Sequence, residues 1–391
     1  MTPQQAPSIE DLRALYKKRV PRMFYDYCET GSYTTSTFVE NTTAFSKYYL
    51  RQRVAVNIDN RSTESTMIGE KVAMPVALAP VGSTGMNHAD GEILACRAAQ
   101  KFGVPYTLST MSICSIEEVA AHVEKPFWFQ LYVMRDREFT KRLVERAKAA
   151  KCSALVLTLD LQVLAQRHKD LKNGLSSPPK PTLANLLNIA TKPRWALGML
   201  GTKNRVFGNI HGHAKDVEDM ADLASWTHRQ FDPTLDWSSV DFIRKQWGGK
   251  LILKGINDVE DAKIAASKGA DAIVVSNHGG RQLDGASATI DMLGPIVDAV
   301  GKKTEVHLDS GIRTGIDVMR ALAVGAKGTF IGRAYIYGLG AGGEAGVTRA
   351  LQIIQSELST TMGLCGERSV ADVGRHNLLN YDTAKPRRTK R

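Results

Sequence analysis

From about residue 73 onward the chain repeats one pattern. A short run of consecutive apolar residues meets a polar or glycine-bearing end, and a stretch with apolar residues at helical spacing follows. The runs are PVALAP (75–80), PYTLST (105–110), FWFQLY (127–132), ALVLTLD (154–160), KLILKG (250–255), AIVVSN (272–277), EVHLDS (305–310) and GTFIGR (328–333), eight in all. Uninterrupted apolar runs of this length suit strands covered on both faces. The intervening stretches, such as GEILACRAAQKFG, REFTKRLVERAKAA, DVEDAKIAASKGA and GIDVMRALAVGA, predict helices, several of them stopping at glycine. Strand and helix alternating eight times predict an α/β fold, a (β/α)8 TIM barrel, rather than a doubly wound sheet. The G-x-G-x-x-G turn that a dinucleotide-binding sheet places after an early strand is missing.

Ahead of the barrel, residues 8–30 read as amphipathic helices and 47–72 as short strands, so 1–72 form an N-terminal cap. The rhythm breaks once. Between the fourth and fifth runs lie about ninety residues, far beyond a usual connection. Residues 161–249 are therefore expected to be an insertion at the active-site rim plus a connecting helix, within a single 1–391 domain whose barrel is 73–160 and 250–365. Over 161–215 nine Lys/Arg face one acidic residue, Asp170, and the stretch carries SSPPKPT and the apolar PRWALGML. Poor internal order is expected there, and residues 366–391, ending KPRRTKR, read as a basic tail.

Composition narrows the class. A hydrophobic share of 43% with 23% charged residues is that of a globular protein. The start has no apolar stretch of signal-peptide length, and no run of about 18 apolar residues predicts a membrane span. The five cysteines are scattered without metal-ligand spacing, so free thiols in a reducing, cytoplasmic setting and no metal site are expected. The net charge of +11 admits nucleic acid, an anionic membrane or acidic small molecules as partners.

Chemistry in such barrels gathers at the carboxyl ends of the strands. Those ends present Pro80–Val81–Gly82, Ser109, Gln130 with Tyr132, Thr158 with Asp160, Lys254, Ser276 with His278, Asp309–Ser310–Gly311, and Gly332–Arg333. The last two turns, DSGIRTG and IGR, stand where these barrels commonly bind phosphate, with Arg313 and Arg333 adding charge. A phosphate clamp joined by Gln130, Thr158 and Ser109 suits a flat heterocycle with a phosphate tail. A buried Lys254 suits a ring that gathers negative charge, as flavin mononucleotide (FMN) does on reduction. A phosphorylated substrate is the rival reading of the same residues.

The loop SNHGGRQLDG, with LKG before it and DSGIRTGIDVMRALAVGA and IGR after it, resembles the FMN-dependent 2-hydroxy-acid dehydrogenase and oxidase family. The likeness runs from about Asp26 to Gly363 and weakens over 161–235. Within the family it is strongest to the bacterial L-lactate dehydrogenases, through PVALAPVGSTGM, TLSTMSICSIEEVA, WFQLYVMRDR and FGNI. It implies FMN contacts at Pro80, Val81, Gly82, Ser109, Gln130, Thr158, Lys254 and Ser276, and at Asp309, Ser310, Gly311, Ile312, Arg313, Gly332 and Arg333. It further implies substrate contacts at Tyr27, Tyr132, Arg167 and Arg281, with His278 as base and Asp160 behind it. Met111 stands where the family's oxidases often have tryptophan, and Ala165 where a glycine is usual. Gly82 is the residue favoured by members that reduce quinone or cytochrome, where oxidases more often carry alanine.

The expected activity is oxidation of an L-2-hydroxy acid, L-lactate to pyruvate first of all, with electrons passing to quinone or a cytochrome. An oxidase using O2 and a dehydrogenase of mandelate or longer acids are the alternatives. Arg281, helped by Arg167, would grip the carboxylate, and Tyr27 and Tyr132 would hydrogen-bond the substrate. His278 would take the proton while Asp160 steadies the imidazolium. The basic, partly apolar insertion suggests a peripheral position on the inner face of the cell membrane. The resemblance implies a homo-oligomer, a tetramer or larger. A nucleic-acid partner is not expected, because it would leave His278 and Arg281 without a purpose.

Overall fold

The computed structural model describes residues 1–175, 182–213 and 230–379. Its centre is a ring of eight parallel strands: β1 (Val76–Leu78), β2 (Thr107–Ser109), β3 (Trp128–Leu131), β4 (Ala154–Thr158), β5 (Lys250–Ile256), β6 (Ala272–Val275), β7 (Glu305–Leu308) and β8 (Gly328–Ile331). Each pairs with its sequence neighbour, β8 pairs with β1, and a parallel bridge between Leu78 and Tyr106 closes the ring. This is the (β/α)8 barrel the alternation predicts, and each strand lies inside its predicted run except β5, which extends one residue past it to Ile256.

Side chains alternate across each strand, which separates two cores that the apolar runs conceal. Phe129, Leu131, Leu155, Leu157, Leu251, Leu253, Ile273 and Val275 point outward and join the helices in the large core. Ala77, Trp128, Ala154, Val156, Ile252, Ala272, Val274 and Phe330 fill the barrel interior. Continuing the inward series toward the carboxyl end reaches Gln130, Thr158, Lys254 and Ser276, so the apolar interior gives way to a polar upper layer. Thr158 and Lys254 are register partners on adjacent strands.

The floor of the barrel is sealed by a hairpin, Ser65–Met67 with Glu70–Val72, which inserts Met67, Ile68 and Val72 into the interior core. Three polar contacts fix it: Glu305 accepts from Ile68 N–H at 3.0 Å, Lys250 Nζ donates to Ile68 O at 2.5 Å, and Trp128 Nε1 donates to Glu70 at 3.3 Å. The open end is thus the one lined by the polar layer.

The N-terminal helices Ile9–Arg19 and Arg22–Cys28 occur where expected, followed by Ser36–Thr43. The expectation of poor order over 161–215 is corrected for its described residues. Helices span His168–Lys172, Leu183–Ala190 and Pro193–Gly201, and the following turns are tied down by Thr202 and Asn204 bonding Asp90 at 2.7 and 2.8 Å. Arg22 N–H bonds Asn188 at 2.7 Å and Trp195 packs on Phe24, so this region is held by the N-terminal helices rather than by its own composition. Residues 366–379, assigned to the tail, are also folded: Leu378–Leu379 pair with Tyr49–Leu50. The KPRRTKR end lies outside the described residues.

Candidate active site

The carboxyl ends of the strands surround a cavity of about 500 Å³, a volume typical of small-molecule sites. Tyr27, Pro80, Val81, Gly82, Tyr132, Arg167, Lys254, His278, Arg281, the run Asp309–Arg313, Gly332 and Arg333 all line it. Ser109, Gln130, Thr158, Asp160 and Ser276 lie behind this wall and contact or flank its members.

His278 and Asp160 come together across 118 positions of sequence: Nδ1 of the ring lies 2.9 Å from Asp160 Oδ1. That contact leaves Nε2 on the cavity side, 3.4 Å from the Tyr132 hydroxyl, whose ring is nearly parallel to the imidazole. Burial raises the Asp160 carboxyl, but the His278 charge and hydrogen bond and the nearby Lys254 outweigh it and hold the group below its ordinary range. Glycine at 255 allows the end of β5 to pass this carboxylate, since a Cβ there would sit 2.7 Å from Asp160 Cγ. Burial, with Asp160 close by, drives the Tyr132 hydroxyl well above its normal range, so it is a neutral donor.

Lys254 is buried and pairs with Asp309 at 3.1 Å, while Ser276 bridges the two, accepting from Lys254 at 3.0 Å and donating to Asp309 at 2.6 Å. Burial pulls the lysine down and Asp309 and Asp160 push it further up, so it is held charged. Asp309, expected among cofactor contacts, thus spends its carboxylate on Lys254 and Ser276.

Four arginines face the same space. Arg281 donates to Tyr27 O at 2.5 Å and lies 4.6 Å from the centre of the Tyr27 ring. Arg167 pairs with Asp170 at 2.8 Å, and its place in the wall is secured despite Ala165. Arg333 donates to Cys28 O, Gly279 O and Thr30 O at 2.8, 3.1 and 2.9 Å, so much of its fork ties the cap to the loop that carries His278. Burial, with Arg313 alongside, pulls the Arg333 guanidinium down to about 10. The Arg313 side chain donates to Ile312 O at 2.9 Å.

The apolar walls were not foreseen. Met23, Phe24, Met86, Leu161, Leu164, Leu175, Phe207 and Phe231 line the cavity. Phe207 lies in the FGNI stretch noted above, a signal left unused. Phe231 carried none: it reaches the site because Met134 and Phe231 form an antiparallel bridge and Arg137 pairs with Asp232 at 2.6 Å, bringing its ring edge-on to Tyr132.

The upper layer is suited to a flavin. Gln130 Nε2 is buried with no hydrogen-bond partner among the described residues, while its Oε1 accepts from Ser109 at 3.1 Å. A donor left in that position wants a ring acceptor, and Lys254 wants a neighbour that becomes anionic. Along the chain, residues 16–380 match the model of the FMN-dependent dehydrogenases. The chain belongs to the FMN-dependent dehydrogenase family, and FMN is its cofactor.

Curated relatives of this FMN-dependent dehydrogenase include the L-lactate dehydrogenases of Stenotrophomonas maltophilia (strain R551-3), 45% identical over 95% of this chain and 98% of that one, and of Azorhizobium caulinodans, 46% identical over 95% and 98%. Among solved structures, the monotopic membrane protein (S)-mandelate dehydrogenase superposes with a TM-score of 0.91 at 33% identity, over 96% of this chain and 100% of that one. A mandelate oxidase with bound (S)-2-phenylpropionate gives 0.80 at 35% identity, over 96% and 98%.

Proposed function

We propose that this dehydrogenase oxidises an L-2-hydroxy acid, L-lactate in the first instance, to the 2-oxo acid. The observation that carries the reading is the Asp160–His278 pair, with Nε2 open to the cavity beside Tyr132 and Arg281 three residues further along the same loop. Arg281 and Arg167 hold the substrate carboxylate, and Tyr27 and Tyr132 hydrogen-bond the reacting end. His278 Nε2 receives a proton from the substrate, and Asp160 stabilises the resulting imidazolium. FMN, when bound, supplies the acceptor for the two electrons that leave the α-carbon. Gln130, Ser109, Thr158, Lys254 and the Pro80–Gly82 turn would hold its ring, with Ser276 and Asp309 fixing Lys254. The 310–313 turn with Gly332 and Arg333 would hold its phosphate. His278→Gln tests the assignment: the variant keeps FMN bound but its flavin is not bleached by substrate under anaerobic conditions. Bleaching at the wild-type rate would refute the base.

The walls formed by Phe207, Phe231, Leu161 and Leu164 favour a second reading, in which the acid carries a larger apolar side chain such as that of mandelate. Anaerobic bleaching against a panel of 2-hydroxy acids separates the two.

Electrons then pass to a quinone or a cytochrome at a membrane surface. Leu183, Leu186, Leu187, Leu197 and Leu200 are all more than half exposed. They share residues 182–213 with Lys192, Arg194, Lys203 and Arg205 and no acidic residue. Apolar side chains flanked by cations suit an anionic bilayer on the inner face of the cell membrane, and among the described residues no helix is long and apolar enough to cross one. Flotation with anionic vesicles at low salt tests this; a protein that stays at the bottom of the gradient refutes it. Family resemblance supports a homo-oligomer of tetramer size or larger, which sedimentation decides.

A further inference from the structure

His278 stands in the left-handed region with φ +59°, and Gly279 and Gly280 follow at +67° and +72°. A residue with a Cβ held there is strained, so its surroundings must over-determine the loop. Three hydrogen bonds do so. Ser276 Oγ accepts from His278 N–H at 3.1 Å, Ser310 Oγ from Gly279 N–H at 3.0 Å, and Asn277 Oδ1 from Gly280 N–H at 3.1 Å. Ser276 and Ser310 belong to the cofactor side of the site. Asn277 is different: it is absent from the cavity wall, and its amide turns toward the cap helix Ser36–Thr43.

There it meets Asn41 in a reciprocal pair. Asn41 Nδ2 donates to Asn277 Oδ1 and Asn277 Nδ2 donates to Asn41 Oδ1, both at 2.8 Å, with both residues buried. The remaining capacity is also used, Asn277 Nδ2 donating to Ser287 O at 3.1 Å and Asn41 Oδ1 accepting from Thr289 N–H at 3.4 Å. The helix lies hard against the loop, for a Cβ on Gly280 would fall 2.5 Å from Phe38 N.

We propose that the Asn41–Asn277 amide pair is a positioning device that holds His278 at its proton-transfer geometry, a role that rests on His278 being the base. The carboxylate grip is anchored separately, because Arg281 is held by Tyr27 O and the Tyr27 ring. Loosening the amide pair therefore disturbs the proton-transfer step and spares acid binding. Asn41 is absent from the cavity wall and does not bond His278; its side chain reaches the loop through Asn277 at 2.8 Å, with the longer Thr289 N–H contact at 3.4 Å leading away from it.

The test is Asn41→Ala in the FMN-loaded enzyme, mixed anaerobically with L-lactate or whichever acid of the panel bleaches the wild-type flavin fastest. The limiting rate of flavin reduction should fall by about tenfold or more while the Kd of the acid moves by less than about twofold, since small misplacements of a reacting group cost rate steeply. The isotope effect of α-deuterated acid on kcat should rise as the chemical step slows. Asn41→Asp keeps the acceptor for Asn277 Nδ2 but sets a buried anionic oxygen against Asn277 Oδ1, so it too should slow reduction and spare the Kd, and it gives a second reading if the alanine variant does not fold. A reduction rate that is unchanged, or that falls only in proportion to FMN content, overturns the proposal. Full-rate reduction in His278→Gln would instead overturn the base assignment. An inactive His278→Gln beside a wild-type Asn41→Ala rejects the amide pair alone.

Discussion

Asp160→Asn removes one charge from the proton-transfer pair and leaves its shape. In the wild type the carboxylate lies 2.9 Å from His278 Nδ1, with the two side chains only 14% and 20% exposed. Charge centres about 4 Å apart interact by about 4 kcal/mol at an effective dielectric of about 20. As the proposed base, His278 gains a positive charge in the step that takes the proton, so this attraction acts on the transition state and product of the chemical step rather than on substrate binding. At about 1.4 kcal/mol per decade the full term would be close to a thousandfold, and an asparagine oxygen accepting from Nδ1–H restores a part of it. The variant should therefore reduce its flavin about a hundredfold to a thousandfold more slowly, with FMN retained and the Kd of the acid nearly unchanged. Anaerobic stopped-flow bleaching over a range of acid concentrations separates rate from affinity. A loss below about threefold would mean that Asp160 does not stabilise the imidazolium, and the pairing at 2.9 Å would then be only structural.

Two further outcomes follow from the same geometry. Arg281→Lys keeps a charge but loses the planar fork, so both the affinity for the acid and the rate of reduction should fall, by about 1.5–3 kcal/mol together; unchanged kinetics would remove Arg281 from the carboxylate site. Burial raises the Asp309 carboxyl, but Lys254 and Ser276 outweigh it and hold the folded value below the ordinary 3.8. Its stabilising contribution is thus full above that unfolded value and is lost as the pH falls through the folded one. Urea unfolding of wild type and Asp309→Asn should accordingly differ by a constant amount above about pH 5 and converge as the solution is made more acid; a difference that grows on acidification would reverse the assignment.

The eight runs and the strand ends were legible in the sequence because each is a local pattern: an apolar run, its polar stop, a glycine-bearing turn; Tyr27 and Arg167 in the cavity wall came from the family resemblance alone. What was not legible depends on where distant segments meet. The roles of Asp309 and Arg333 illustrate this. Both stand in the turns expected to bind phosphate, and both also hold distant segments: Asp309 pairs with Lys254, and Arg333 bonds carbonyls of the cap, at 28 and 30 in the sequence. Phe231 lies in the wall because its segment bridges Met134 and Asp232 finds Arg137 on the far side of the insertion. The order of the described part of 161–215 was misjudged for a related reason. Its proline, glycine and basic content describes how it would behave alone, and its helices are held instead by Phe24, Asn188 with Arg22 N–H, and Asp90.

The concentration of positive charge at this end of the barrel can be taken one step further. Arg167, Arg281, Arg313 and Arg333 share the cavity with Lys254, and among the carboxylates that oppose this charge are Asp160, Asp170 and Asp309. Burial with Arg281 nearby lowers Arg167, as burial with Arg313 nearby lowers Arg333, so like charges face one another in two pairs. Neutral partners hold Arg281 and Arg333 in place without discharging them: the ring of Tyr27 under Arg281, the ring of Phe38 under Arg333, and backbone carbonyls around both. Such an arrangement favours two anions over one. The 313/333 pair, beside the glycine turns of β7 and β8, suits the phosphate of FMN, and the 167/281 pair suits the carboxylate of the acid. Arg281 and His278 stand three residues apart on one loop, so the proposed carboxylate site and the proposed base lie side by side. An acid with its carboxylate on Arg281 therefore presents its own α-carbon substituents to His278, which a 3-hydroxy acid, one carbon longer, could not do in the same grip.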